Sequence, residues 1–308
     1  MVLTARIIAG ALALSLSALL TGPIAPAAAD DPPFLGWEAV MPPLAYQFEP
    51  SSADSCVAGR VSCVKDSERQ MQRRFTPLAE TCDHDAVFAL AYLRTTQAYL
   101  EATQTNGFFE NPQFINHEEV VFGEMYMDAY DDWAAGRVAQ VPPAWRVALA
   151  AADDRAVSGS GNLLLGMSAH VNRDLAFVLA ATGLVRPDGR SAKTDHDRVN
   201  VVLNRVIQPL LAELGQRFDP QIPNIRTPYG VGHTALMQTL VAWREVAWRH
   251  AEQLVAARTD AERDAVAARI EAYAVTQALT LRAQWAYAPP LTTSAARDRY
   301  CAAAGQGG

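Results

Sequence analysis

The stretch SGNLLLGMSAHVNRDLAFVLAAT, residues 160–182, decides the fold. At ~100° of helical rotation per residue, Leu163, Met167, His170, Asp174, Phe177 and Ala181 share one face. Leu165, Ala176 and Leu179 occupy the opposite face, so the helix is apolar all round. A helix with no polar face has no side to give to water and must be covered by its neighbours. The stretch is therefore expected to be the buried central helix of an all-α protein.

Outward from it, apolar residues recur at helical spacing and Pro or Gly falls between the segments. Further helices are expected over about 66–81, 84–104, 113–135, 143–153, 195–214, 230–257 and 260–287. Thr259 and Glu262 form a capping-box pattern ahead of the last of these. Pro187-Asp188-Gly189 marks a turn, and Pro209 should kink the helix it sits in because it has no N–H to donate. The Pro-rich stretch Phe218 to Tyr229 sets the last two long helices apart. These segments read as a single compact multi-helix bundle over residues 65–302, with a body over 65–217 and a C-terminal helical hairpin over 229–288. A disordered tail is expected over 303–308, and residues 30–64, rich in Pro, Ser and Gly, read as an irregular arm.

Residues 1–29 have the three parts of a Sec-type signal peptide: one charge at Arg6, an apolar run from Ile7 to Leu20, and Ala27-Ala28-Ala29 before Asp30. The apolar run is about 14 residues, short of the ~20 that a spanning helix needs, so cleavage after Ala29 and secretion are expected, with no stable membrane insertion afterwards. The net charge of −7 and the lack of a basic run argue against a nucleic-acid partner. Four cysteines in an exported chain read as two structural disulfides, with three connectivities open. Cys56–Cys63 and Cys82–Cys301 are favoured, the first as a small loop closure and the second as a tie for the C-terminal tail.

The polar residues of the central helix carry the chemistry. His170, Asn172, Arg173 and Asp174 lie in an apolar helix, where polar groups without partners would cost several kcal/mol, so they must be paired. His170 and Asp174, at i and i+4, can meet each other or one metal ion. His196 lies on the apolar stripe of the helix at 195–214, flanked by Asp195 and Asn200. Asp195 stands where a helix cap is expected, and counts as a further ligand only if metal is held. In the helix at 113–135, Ile115, Phe122, Tyr126, Ala129 and Trp133 form the core stripe. This places His117, Glu124, Asp128 and Asp131 on a solvated side, Glu118 inward and Glu119 at the edge. His233 projects from an apolar stripe and reads as core. The motifs His-Glu-x-x-His, Gly-x-Ser-x-Gly, Walker A and the dinucleotide glycine fingerprint do not occur.

Gly166-Met167-Ser168-Ala169-His170-Val171-Asn172-Arg173-Asp174-Leu175 resembles a bacterial family of unknown function that carries a helix of the type GMNAHINRDL. Ser168 and Val171 stand where that pattern has Asn and Ile. Phe108 to Phe114, Val120 to Phe122, Pro143 to Arg146, and Asp195 with Val199-Asn200 fit the same resemblance, which spans roughly residues 85–212. It implies a compact helical domain and no particular reaction.

Two functions follow as expectations. One is a metal-dependent hydrolase of the cell envelope or extracellular space, with His170, Asp174 and His196 holding zinc and Arg173 and Asn200 supporting them. The other is a non-catalytic binding protein that encloses a small apolar ligand and orients its head with the same polar cluster. Three ligand atoms converging on one point would favour the first. An aromatic-lined cavity beside His170 without such convergence would favour the second.

Overall fold

The computed structural model describes residues 48–225 and 231–305. Residues 1–47, on which the expected signal peptide and most of the arm fall, residues 226–230, the side chain of His233 and residues 306–308 lie outside the described residues. Nine helices make up the described chain: α1 (Val61–Glu80), α2 (Ala86–Thr103), α3 (Pro112–Ala134), α4 (Pro143–Asp153), α5 (Gly159–Thr182), α6 (Lys193–Arg217), α7 (Val231–Ala256), α8 (Asp260–Trp285) and α9 (Ala295–Gly305). Among the described residues there is no strand, only isolated bridges between Val157 and Ala286 and between Val185 and Ser191.

Helix α5 is the centre, as its all-round apolar sequence requires. It is long and apolar enough to cross a membrane by composition, but α2, α3, α4, α7 and α8 cover it. Leu163, Leu165, Leu175, Phe177 and Leu179 are all among the fully buried side chains. Ser158 begins the helix by accepting from the Gly161 N–H at 3.3 Å, and Asp219 accepts from the Gly159 N–H at 2.9 Å. Both bonds satisfy donors that a helix start leaves without partners.

The remaining starts are written just as locally. Asn111 caps α3 by accepting from Phe114 N, with Pro112 at the first helical position. Thr259 accepts from Glu262 N, and the Glu262 carboxylate reaches back to Arg258 N at 2.7 Å, which turns α7 into α8. Helices α7 and α8 pack on α5 more extensively than on each other, so the C-terminal hairpin is packed on the body.

Three boundaries differ from the sequence reading. Helix α1 begins at Val61 rather than 66, where Cys63 in its first turn is joined to Cys56. Helix α6 runs through Pro209 to Arg217, with the proline ring on an exposed position. Helix α9 has no counterpart in the expected pattern and reaches into the stretch read as a tail. It is too short to stand alone, and tertiary contacts hold it. Cys82–Cys301 ties it across 219 residues of sequence, a closure worth at most ~4–5 kcal/mol by chain entropy. His84 Nε2 meets Asp298 Oδ1 at 2.8 Å, and Arg297 donates to Asn162 Oδ1 at 2.6 Å.

The arm alters one further expectation. Residues 48–60 fold back over α3, where Asn116 donates to Gly59 O at 3.0 Å and His117 Nδ1 lies 2.9 Å from Cys56 O. His117 is therefore buried beneath the arm instead of facing solvent. Gly59 allows this approach, since its φ is +62° and a Cβ would stand 1.8 Å from Gln113 O. Asp128 is exposed, whereas Glu124 and Asp131 are half-buried.

Close approach of α5 to α2 depends on Gly166, where an added Cβ would come within 2.3 Å of the Phe88 ring. Gly166→Ala should therefore destabilise the protein by about 1–3 kcal/mol, despite the better helix propensity of alanine. Chemical denaturation checks this, and a change within ~0.5 kcal/mol of wild type would contradict the packing.

Candidate functional site

In the middle of α5, residues His170–Asp174 form a π turn. Such a widening interrupts regular α-helical bonding and is found mostly as single turns, often at functional sites. Asp174, fully buried, is the hub. Its Oδ2 accepts from Trp145 Nε1 at 2.8 Å and from His170 Nδ1 at 3.0 Å, while Oδ1 accepts from Arg173 Nη1 at 2.6 Å. Arg173 also donates from Nε to Glu271 Oε1 of α8 at 2.8 Å and lies over the Phe177 ring at 5.1 Å.

Burial alone would push Asp174 toward the neutral acid. The His170 hydrogen bond and the Arg173 charge outweigh burial and hold the carboxyl below its ordinary range. Burial also lowers His170, and Asp174 only partly offsets it. A neutral imidazole facing an ionised carboxylate carries its proton on Nδ1, which leaves the lone pair on Nε2. That Nε2 is buried and has no partner.

An aromatic cage fixes the ring. Phe122 stacks on it at 3.5 Å with 7° between the planes, and Tyr92 meets it edge-on at 4.5 Å. Phe88 and Trp145 stand at 6.0 Å. The ring also borders a pocket of about 90 Å³ between α5 and α6, flanked by α2, α3 and α7. Most of its lining is apolar and includes Ile115, Met167, Val199, Leu203, Val206 and Ile207. The polar exceptions are Tyr92, Thr95, Tyr99, Glu118, Glu119, His170 and Arg244. Tyr92 Oη, Glu118 Oε2, His170 Nε2 and Arg244 Nε are each buried without a hydrogen-bond partner.

The two glutamates are displaced from ordinary carboxylates. Burial raises Glu118 to about 7, against the pull of Arg244 and with a further push from Asp195. Burial raises Glu119 to about 8, opposed by a hydrogen bond from Thr96 and reinforced by Glu118. Burial lowers Arg244 to about 10, so its guanidinium is still charged near neutrality.

Only part of the residue set expected from the sequence is brought together. His170 and Asp174 meet as a hydrogen-bonded pair. His196 turns instead to α7, where Arg244 donates to its backbone O at 2.6 Å and lies 3.2 Å from its Nδ1. Trp248 packs against its ring at 5.2 Å. Burial and the charges of Arg244 and Lys193 hold His196 well below its ordinary pKa, and those same cations disfavour a divalent ion there. Among the described residues no three His, Cys, Asp or Glu side chains form a group that could hold a metal ion.

Asp195 does not cap its own helix, which starts at Lys193 after Ala192. It accepts from the N–H groups of Glu110 and Asn111 at 2.7 and 2.9 Å, and from Arg186 and Arg198. It thereby pins the entrance of α3 to α6. Asn200 is half-buried, with no partner for its Oδ1, and does not line the pocket. Asn172 points away from the dyad and donates to Ser168 Oγ at 2.9 Å.

Sequence reasoning missed Arg244, Tyr92 and the π turn. The signal for Arg244 was an arginine within an apolar helical run, Leu236 to Trp248, the same kind of signal that singled out Arg173. Among known proteins, the model of a family of unknown function, DUF5995, matches residues 64–284. No curated protein and no solved structure is similar enough to match.

Glu119 provides a test through pH. The folded protein keeps its proton to about pH 8, whereas an ordinary glutamate releases it near 4.5. Between those values the folded state binds more protons than the unfolded one, so stability falls as pH rises. The contribution is complete below 4.5 and lost by about 8. Glu119→Gln cannot ionise, so its melting temperature should gain on that of wild type steadily from pH 5 to about pH 8 and level off above it. A difference that stays constant over that range would contradict the buried, protonated carboxyl.

Proposed function

The chain belongs to the DUF5995 family of unknown function, and we propose that its pocket binds a small molecule with an apolar body and a hydrogen-bonding head. One observation carries this reading: four residues that line one cavity, Tyr92, Glu118, His170 and Arg244, each hold a buried polar atom without a partner. Buried polar groups are nearly always satisfied, so four such atoms on residues of one cavity wall point to a ligand or bound water. A volume near 90 Å³ offers room for roughly six to nine water-sized groups. The aromatic cage and the α6 aliphatics suit an apolar body of that size.

Binding is favoured over metal-dependent hydrolysis because Asp174 already accepts from three donors and His196 faces cations. The two disulfides fit an oxidising, extracytoplasmic setting. In our reading residues 1–29 are the signal that takes the chain there.

Benzyl alcohol tests the pocket. At millimolar concentration it should raise the melting temperature of the protein, because a molecule bound only by the folded state stabilises it. Val206→Trp, which fills the cavity from its α6 wall, should abolish the shift. No shift in wild type, or an equal one in Val206→Trp, would overturn the assignment. Elemental analysis showing stoichiometric zinc would restore the hydrolase reading.

A further inference from the structure

Arg244 sits in the pocket wall with 5% of its surface exposed. Among the described residues no carboxylate lies within ion-pair distance of it, although thirteen other arginines have such a partner. Its one anchor is His196, which accepts through its backbone oxygen from Nη2. That contact fastens the guanidinium from behind without neutralising it, and Nε is left with no acceptor. A buried charge needs an opposite charge or a set of hydrogen bonds to offset lost hydration.

We infer that the natural occupant of the pocket is a small monocarboxylate. Its carboxylate lies against Arg244, and its hydrocarbon body lies along Val199, Leu203, Val206 and Ile207 of α6. The inference rests on the small-molecule reading above and gives the head of that molecule its chemistry. One guanidinium matches one carboxylate in charge. A phosphate dianion would ask for more cations than the pocket wall supplies.

The surrounding groups agree with a carboxylate head. From α3, Glu118 and Glu119 face the pocket as groups that keep their protons into the neutral range, so they can donate to an incoming carboxylate. From α2, the Tyr92 hydroxyl is a further donor without a partner, and Tyr99 donates elsewhere, to Asn116. From α5, His170 is neutral and adds no charge to the pocket wall. From α6, Asp195 and Asp197 act only at a distance, and His196 is neutral behind the guanidinium. Above about pH 8 both glutamates ionise and become internal anions that compete for Arg244 and repel the ligand. Affinity for a carboxylate must therefore fall with rising pH.

Benzoate and benzyl alcohol, near-isosteric probes, separate the alternatives by calorimetric titration of the whole protein. At pH 6 benzoate should bind wild type roughly tenfold to a hundredfold more tightly than benzyl alcohol, the worth of hydrogen bonds to a charged group. That preference should shrink toward pH 9. Arg244→Gln should erase it while benzyl alcohol still binds, and Glu118→Gln should weaken its pH dependence. If benzoate binds wild type no better than benzyl alcohol, the carboxylate inference is overturned and the pocket stands. The same holds if Arg244→Gln keeps the preference. If neither probe binds wild type, pocket and inference fail together. The comparison within wild type decides the matter even if Arg244→Gln does not fold.

Discussion

A fully buried carboxylate, Asp174, sits in the central helix, against which α2, α3, α4, α7 and α8 pack. An ionised group there is tolerable only because three donors surround it, and each ties down a different part of the molecule. Trp145 brings in α4. Arg173 carries the connection on to Glu271 of α8. His170 closes the π turn within α5. Removing any one donor would leave charge uncompensated at the centre of the bundle. The same arrangement orients His170, since the Nδ1 bond and the Phe122 stack together allow one ring position.

The pocket follows from that position. Helix α6 packs mainly on α2 and stands off from α5, and the aromatic and aliphatic side chains between them leave the space that His170 borders. Arg244 reaches this space from α7, and Glu118 and Glu119 reach it from α3. The chemistry thus comes from three helices distant in sequence, each buried for its own packing reasons. The pocket gathers their polar ends where water is scarce, which is why two glutamates hold protons and a guanidinium stays charged without an ion pair.

The central helix was legible because its period left no solvent face, and the need to pair His170, Arg173 and Asp174 followed from burial alone. The starts of α3 and α8 were legible because their caps are local. The sequence could not reveal that Arg244 would occupy the neighbourhood of His196, since helical period gives the face of a residue but not the helix opposite it. That missing information turned an expected three-residue metal set into a dyad and a separate His–Arg contact. His117 was misplaced for a related reason: the period marked its face as outward, while the arm, which has no period, covers it. The π turn left no trace in composition, and α9 is held by a disulfide and side-chain contacts rather than by its own propensity.

Ionised Asp174 holds His170 neutral with the proton on Nδ1 and the lone pair on the buried Nε2 of a ring that borders the pocket. Nitrogen-15 NMR of histidine-labelled protein at pH 7 reads this directly. The account predicts a His170 signal with a protonated Nδ1 and an unprotonated Nε2, and a change of that pattern in Asp174→Asn. A His170 protonated on both nitrogens, or on Nε2 alone, would contradict it.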